Sequence, residues 1–275
     1  MAIFTPNQES IAIISGGMNF TGGMGDFCAY RLPGSDKIVV RRKSGPGRQR
    51  IRQDKAYAIT RLNNEEWKAC TAATATLIRS MFPVKHLSDY PYAGALNGLF
   101  RFIQNEDPAA PLGKRGVLIS QHPQRLEGFS LNRKQNFESY IKHPLQFGID
   151  RSNATATVQL PELVPGINLS NPAGHPLYRL VLVLGAVPDI VYNEERKAFL
   201  PVAGEEVFPV VAATDWQPAK QRMPATELSA AVVSPADVSD YTLVLSIGLE
   251  FGIPLTNTEV RPVKRYGAAK ILRMG

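Results

Sequence analysis

The sequence predicts an α+β protein: an extended basic N-terminal arm with a β-hairpin, a helical hairpin, and a C-terminal antiparallel β-sandwich of immunoglobulin-like or jelly-roll kind. Three observations carry this. Residues 37–55 hold eight Lys and Arg against one acid, Asp54, while the other 256 residues balance 23 basic against 23 acidic side chains. The whole formal charge of +7 therefore sits in one short stretch. Apolar residues recur at helical spacing between about 63 and 104. From about residue 115 onward, short apolar runs are spaced by Pro, Gly, Asn and Asp, the pattern of a sheet protein with many turns.

Length and composition set the frame. A chain of 275 residues with 44% hydrophobic and 20% charged side chains buries an ordinary core, as one large domain or two modest ones. The expected division is 1–62 as the arm, 63–112 as the helical hairpin, and 113–275 as the β-sandwich, the last as one body, two sub-sheets or two small β-domains. Cys28 and Cys70 lie far apart in different predicted elements, so two reduced, buried thiols are expected. The N-terminus shows no Sec-type signal, and Leu180–Val187, the longest apolar run, is too short to span a bilayer. Cytoplasmic synthesis is expected, with any release from the cell as a particle or filament.

In the arm, Ile11–Ile14 reads as a short strand, followed by Gly16, Gly17, Gly22, Gly23 and Gly25. Phe27–Leu32 and Lys37–Arg42 flank the turn-forming Pro33-Gly34-Ser35-Asp36, which predicts a hairpin. Ser44-Gly45-Pro46-Gly47 then breaks the pairing and releases Arg48, Arg50 and Arg52. So little apolar material cannot form a core of its own.

Asn63 and Glu66 fit a helix N-cap and its capping-box partner, with Glu65 and Glu66 at the positive end of the dipole. The helix from Asn63 to Met81 is expected to pack through Trp67, Cys70, Leu77 and Met81, ending before Pro83. A second helix, Tyr92–Gln104, presents Leu96, Leu99, Phe100 and Ile103, and Asn105-Glu106-Asp107-Pro108 stops it. Predicted strands follow at 116–120, 128–131, 146–150, 155–160, 178–184, 190–192, 207–212, 228–233, 241–251 and 268–273. The alternation is clearest in Thr155–Leu160 and Thr242–Leu249.

The residue patterns offer little chemistry. The cluster at 16–25 lacks the Lys and Ser/Thr of a P-loop, and a strand rather than a helix follows it. His86, His122, His143 and His175 share no ligand spacing, and three adjoin prolines, so they read as loop side chains. Neither Ser15 nor Ser246 sits in a nucleophile elbow. Of the paired carboxylates, Glu65-Glu66 reads as helix capping, while Glu194-Glu195 and Glu205-Glu206 read as hairpin loops. No catalytic, cofactor-binding or metal-ligating residue is predicted, and no cofactor.

The N-terminal third resembles an uncharacterised protein family of Bacteroidota. The resemblance rests on Gly22–Gly25, Tyr30, the basic strand Lys37–Lys43, the run Arg61-Leu62-Asn63-Asn64-Glu65-Glu66-Trp67, and Gly128-Phe129-Ser130-Leu131-Asn132. It covers about half of the chain in scattered patches. It implies an α/β composition with a C-terminal sandwich and attaches no activity.

The basic arm carries the functional weight. Arg41, Arg42, Lys43, Arg48, Arg50 and Arg52 are expected to pair with carboxylates of a neighbouring subunit or with the phosphates of a polyanion. Against nucleic acid stands the lack of any aromatic between Ile38 and Ala56. Phe27, Tyr30, Ile38 and Val40 are the expected hairpin contacts for strand addition. The expected function is a non-enzymatic structural protein that assembles with copies of itself into a symmetric homo-oligomer, tube or filament. The alternatives are a virion or nucleic-acid-associated protein and a carbohydrate-binding or carbohydrate-acting sandwich, the latter resting on Trp216.

Overall fold

The structure is a computed structural model that describes the backbone of residues 12–14, and residues 20–32, 35–107, 109–203, 207–232, 240–256 and 258–275. Of the positions singled out above, Ile11, Ser15, Gly16, Gly17, Pro33, Gly34, Pro108, Glu205, Glu206 and Val233 lie outside the described residues. The chain divides into two compact units, Met1–Ala58 and Ile59–Gly275.

Unit 1 contains β1 (Ala12–Ile14), β2 (Gly22–Met24), β3 (Phe27–Arg31) and β4 (Ile38–Arg42) in one antiparallel sheet of order β1-β4-β3-β2. The expected hairpin is present, in register from Phe27 opposite Arg42 to Arg31 opposite Ile38. Gly25, at φ +55°, takes the left-handed conformation that the tight β2–β3 turn requires. The expectation of an extended arm is corrected here. Arg48, Arg50 and Arg52 lie on a short helix, α1 (Arg48–Gln53), started by an extended Gly47. Arg and Gln are strong helix formers, and Arg50 pairs with Asp54 one turn on, at 3.3 Å.

Unit 2 opens with α2 (Ala58–Ser80), which starts ahead of the predicted Asn63; Asn63 is an interior helical residue and caps nothing. The buried stripe of α2 runs through Glu66, Ala69, Cys70, Ala73, Thr74, Leu77 and Ser80. Trp67 lies about 100° from the axis of that stripe and is 45% exposed, so its expected packing role is wrong. Cys70, Leu77 and Met81 are fully buried as expected. A 3₁₀ turn (Phe82–Leu87), α3 (Ala93–Asn105) and the one-turn α4 (Phe137–Tyr140) follow.

The strands of unit 2 are β5 (Gln146–Asp150), β6 (Thr155–Leu160), β7 (Leu177–Pro188), β8 (Ile190–Asn193), β9 (Ala198–Pro201), β10 (Val210–Ala213), β11 (Gln217–Pro218), β12 (Thr226–Ala231), β13 (Tyr241–Pro254) and β14 (Val260–Met274). The main sheet has order β10-β7-β13-β14, with β11 also on β7; a second sheet has order β12-β6-β5, and β8 pairs with β9. The predicted strands at 116–120 and 128–131 do not form. Val117 makes a single bridge to Ile190, and Ile119–Gln121 coils into a 3₁₀ turn. Residues 128–131 instead run irregularly along β14, with Gly128 N donating to Ile271 O at 2.9 Å and Leu131 N to Ala269 O at 2.8 Å.

Period-two alternation explains the layering. On one face of the main sheet, Leu180, Leu182 and Leu184 of β7 and Leu245, Ile247, Leu249 and Phe251 of β13 form a core with Ala156, Val158 and Leu160 of the second sheet. This is the sandwich, and the protein is α+β. On the opposite face, Val181, Val183 and Val244 pack with Leu77, Met81, Val84, Leu96 and Phe100 of the helical segment. The helical hairpin therefore shares its core with the sheet. Two glycines permit the close approach. A Cβ on Gly185 would lie 2.6 Å from the Ser80 carbonyl oxygen, and one on Gly248 would lie 2.8 Å from the Val84 side chain.

Candidate interaction surface

The sequence places the basic side chains in unit 1, and strand pairing decides what lies beside them. Pairing places Met24 opposite Phe27 and Phe27 opposite Arg42, which makes one cross-strand row on three neighbouring strands. Opposed residues in an antiparallel sheet share a face, so these three side chains point the same way. Met24 is 61% and Phe27 47% exposed. One residue along, the row on the other face is Gly23, Cys28 and Arg41. There the Arg41 guanidinium sits over the Tyr30 ring, 5.5 Å from its centroid, and Tyr30 is 40% exposed. The lack of aromatics between Ile38 and Ala56 is thus made good by β3. Linear spacing hid this, because the aromatics precede the basic run and only the hairpin register brings them beside it.

The basic groups are lightly committed. Arg42 lies 3.7 Å from Asp26 with both side chains largely exposed, an arrangement worth little in water. Lys43 donates from Nζ to the Gly25 carbonyl at 2.7 Å, which fastens the β2–β3 turn. Arg50 pairs with Asp54 and covers the Tyr57 ring at 5.9 Å. Arg48 and Arg52 are exposed, and make no ion pair among the described residues.

Expected strand-addition contacts are redistributed. Ile38 is buried and Val40 half-buried on β4, which has β1 and β3 on its two sides. Phe27 pairs on one side with β2 and on the other with β4. Among the described residues the outer strand on this side is β2, whose Gly22, Gly23 and Met24 are all exposed.

In unit 2 the buried charges are internally satisfied. Glu66, fully buried, accepts from Arg101 Nη1 at 2.6 Å, from Arg115 Nε and Nη2 at 2.7 Å each, and from Gly113 N at 2.8 Å. Burial pushes this carboxyl up, but hydrogen bonds from Arg115, Gly113 and Arg101 outweigh that and hold it at about 2. Its predicted capping role is corrected accordingly. Glu250 of β13 accepts from Arg179 Nε at 2.7 Å, and His86 Nε2 lies 3.1 Å from its other oxygen, within ion-pair range though not aligned as a hydrogen bond. Burial raises the Glu250 carboxyl, and His86 and Arg179 together bring it below the usual range. Arg179 also covers Trp216 at 4.6 Å, and Gly252 is pressed against the indole, so the ring proposed for sugar stacking is already covered.

A cleft of about 760 Å³ lies between loops 165–176 and 218–221. Two of its lining residues are engaged within the protein: Asn171 uses both amide atoms on the His175 backbone, and the His175 ring meets Tyr266 edge-on at 4.5 Å. Among the described residues, no three His, Cys, Asp or Glu side chains are grouped to hold a metal ion. Nor, among the described residues, is any helix long and apolar enough to cross a membrane.

Comparison with protein-family models finds no match for this chain, and neither does comparison with curated proteins or with solved structures.

Proposed function

We propose that this is a non-enzymatic structural protein that binds polyanions through the basic surface of unit 1. Charge localisation carries the reading: the entire net charge of +7 falls on 37–55, and Arg41, Arg42, Lys43, Arg48, Arg50 and Arg52 are all exposed. Arginines that served only to solubilise the chain would be spread among acids, as they are elsewhere in it. The rest of the chain balances its charges and holds no acidic run of matching size, which favours a partner other than its own body. Arginines hold the buried carboxylates Glu66 and Glu250, which supports a structural part for them.

Retention on heparin across a salt gradient tests this. The wild type is expected to elute late, and Arg42→Glu/Arg48→Glu/Arg52→Glu early with an unchanged circular-dichroism spectrum. Co-elution of the two would sink the reading.

A second reading, self-assembly into a homo-oligomer, tube or filament, is favoured by β2. Its exposed Gly22-Gly23-Met24 backbone is short, unprotected by a bulky side chain at two of three positions, and suited to strand addition by a second copy. Light scattering across a concentration series tests it: growth to a defined oligomer supports the reading, and a constant monomer mass removes it. The two readings are compatible, since copies ordered along a polyanion would use the basic surface and the strand edge together.

A further inference from the structure

We infer that the Met24–Phe27–Arg42 row is a stacking site for single-stranded nucleic acid, with Phe27 taking a base face and Arg42 the adjoining phosphate. This rests on the polyanion reading of unit 1 and narrows it to one class of ligand. Charge alone suits any polyanion. An exposed aromatic ring beside the charge suits only a polyanion that offers flat apolar faces, and a duplex keeps those faces stacked on one another.

The row has the needed parts in the needed order. Strands lie about 4.8 Å apart, so Met24, Phe27 and Arg42 span about 10 Å across the sheet. Phe27 is central, with the flexible thioether of Met24 on one side and the guanidinium of Arg42 on the other. The Lys43 ammonium, held by the Gly25 carbonyl, lies on the opposite face with Gly23 and is not part of the row. A Cβ on Gly23 would lie 3.0 Å from that ammonium, so the glycine lets the lysine fold back over β2. Arg48 and Arg52, one turn apart on α1, extend the charge beyond the hairpin. Duplex readout asks for a helix or ribbon in the groove, and α1 is a six-residue helix with no buried residue. Tyr30 lies on the other face of the sheet, already engaged by Arg41, and so acts as a positioning residue for that cation.

Fluorescence anisotropy of the full chain with labelled dT20, rU20 and a 20-base-pair duplex, at several salt concentrations, tests the site, with heparin as a competitor that has no bases. The expected result is single strands bound at least about tenfold more tightly than duplex. Phosphate contacts from Arg42, Arg48 and Arg52 predict a log-log salt slope near −2 on single strands, because each releases about 0.7 of a counterion. Phe27→Ala is expected to weaken dT20 binding at least about fivefold with the salt slope and heparin affinity unchanged. Phe27→Leu, which keeps apolar bulk without a π face, guards against misfolding and should fall between. A preference between dT20 and rU20 would identify the sugar, and either preference supports the site.

Equal affinity for single strand and duplex, or indifference to both Phe27 variants, overturns the stacking site while heparin binding keeps the polyanion reading alive. Failure to bind heparin and every oligonucleotide overturns both. Self-association abolished by Phe27→Leu would assign the row to a second copy of this chain and overturn the inference.

Discussion

Arg115 grips Glu66 with two parallel hydrogen bonds, Nε to Oε1 and Nη2 to Oε2, both 2.7 Å, across 49 residues of sequence. This fork joins the first turns of α2 to the loop that leaves α3, and Arg101 adds a third donor from α3 itself. Gln104 completes it, accepting from Arg101 and donating to the carbonyls of Glu66 and Arg115. A buried carboxylate is costly unless every lone pair is met, and here four donors converge on it.

Glu66→Gln is therefore expected to cost about 3–5 kcal/mol, because it leaves two guanidinium groups facing a neutral amide. The pH dependence has a defined sign. The folded carboxyl sits at about 2 against an ordinary value of 4.5, so its stabilisation is present above about 4.5 and is lost as pH falls toward 2. At neutral pH the displacement corresponds to about 3 kcal/mol. Urea midpoints of wild type and Glu66→Gln should converge between those pH values; a constant gap would show that the carboxylate charge is not what stabilises the clamp.

Leu77→Ala should cost about 2–5 kcal/mol, since Leu77 is fully buried between α2 and the main sheet. Trp67→Ala should cost less than about 1 kcal/mol despite the larger side chain, because the indole faces outward. The ordering of the two in urea denaturation checks the stripe directly, and a reversed order would mean that α2 is rotated.

That pair also shows what the sequence made legible. Cys70, Leu77 and Met81 were readable because three strong apolar positions define a period, whereas Trp67 misled because hydrophobicity marks a candidate face without fixing its centre. Glu66 was unreadable: a carboxylate near a helix start looks like a cap, and its partners Arg101 and Arg115 lie on the next helix and in the loop beyond it. The long strands β7 and β13 were visible as apolar runs, but 116–120 and 128–131 have the same local composition and lack a neighbour with which to pair in full. The interaction row was half legible. Arg42 stood out by charge and Phe27 by strand propensity, yet their adjacency is a matter of register.

Native-state alkylation should separate the two thiols. Cys70 is fully buried, and burial pushes its thiol up to about 11, so it carries almost no thiolate at pH 8. Cys28 is partly exposed on β3. Iodoacetamide followed by peptide mass spectrometry should find Cys28 modified and Cys70 intact until denaturant is added. Equal modification of both would indicate that α2 lifts readily from its core.

Gly185→Ala should destabilise the protein by about 1–3 kcal/mol, the usual cost of overpacking. The new methyl would meet backbone and Cβ of Ser80 within 3 Å, and neither can swing aside as a long side chain could. Gly148→Ala is the matched control in the second sheet, where a Cβ would meet nothing within 4 Å. Thermal unfolding of both variants decides the matter; equal melting temperatures would mean that the end of α2 moves off the sheet at little cost.

Removal of residues 1–58 should separate binding from folding. Unit 2 holds both apolar clusters, and every residue assigned to them lies beyond position 58. The fragment 59–275 should therefore unfold cooperatively, with a urea slope reduced only by the surface that residues 1–58 no longer expose. Its net charge falls from +7 to +2, as nine basic and four acidic residues leave. Heparin retention should collapse with that charge, and so should single-strand binding, since Phe27, Arg42, Arg48 and Arg52 are all removed. A folded fragment that still held single strands with a salt slope near −2 would place the polyanion surface on unit 2. In that case the basic stretch would have to be reassigned to contact between subunits.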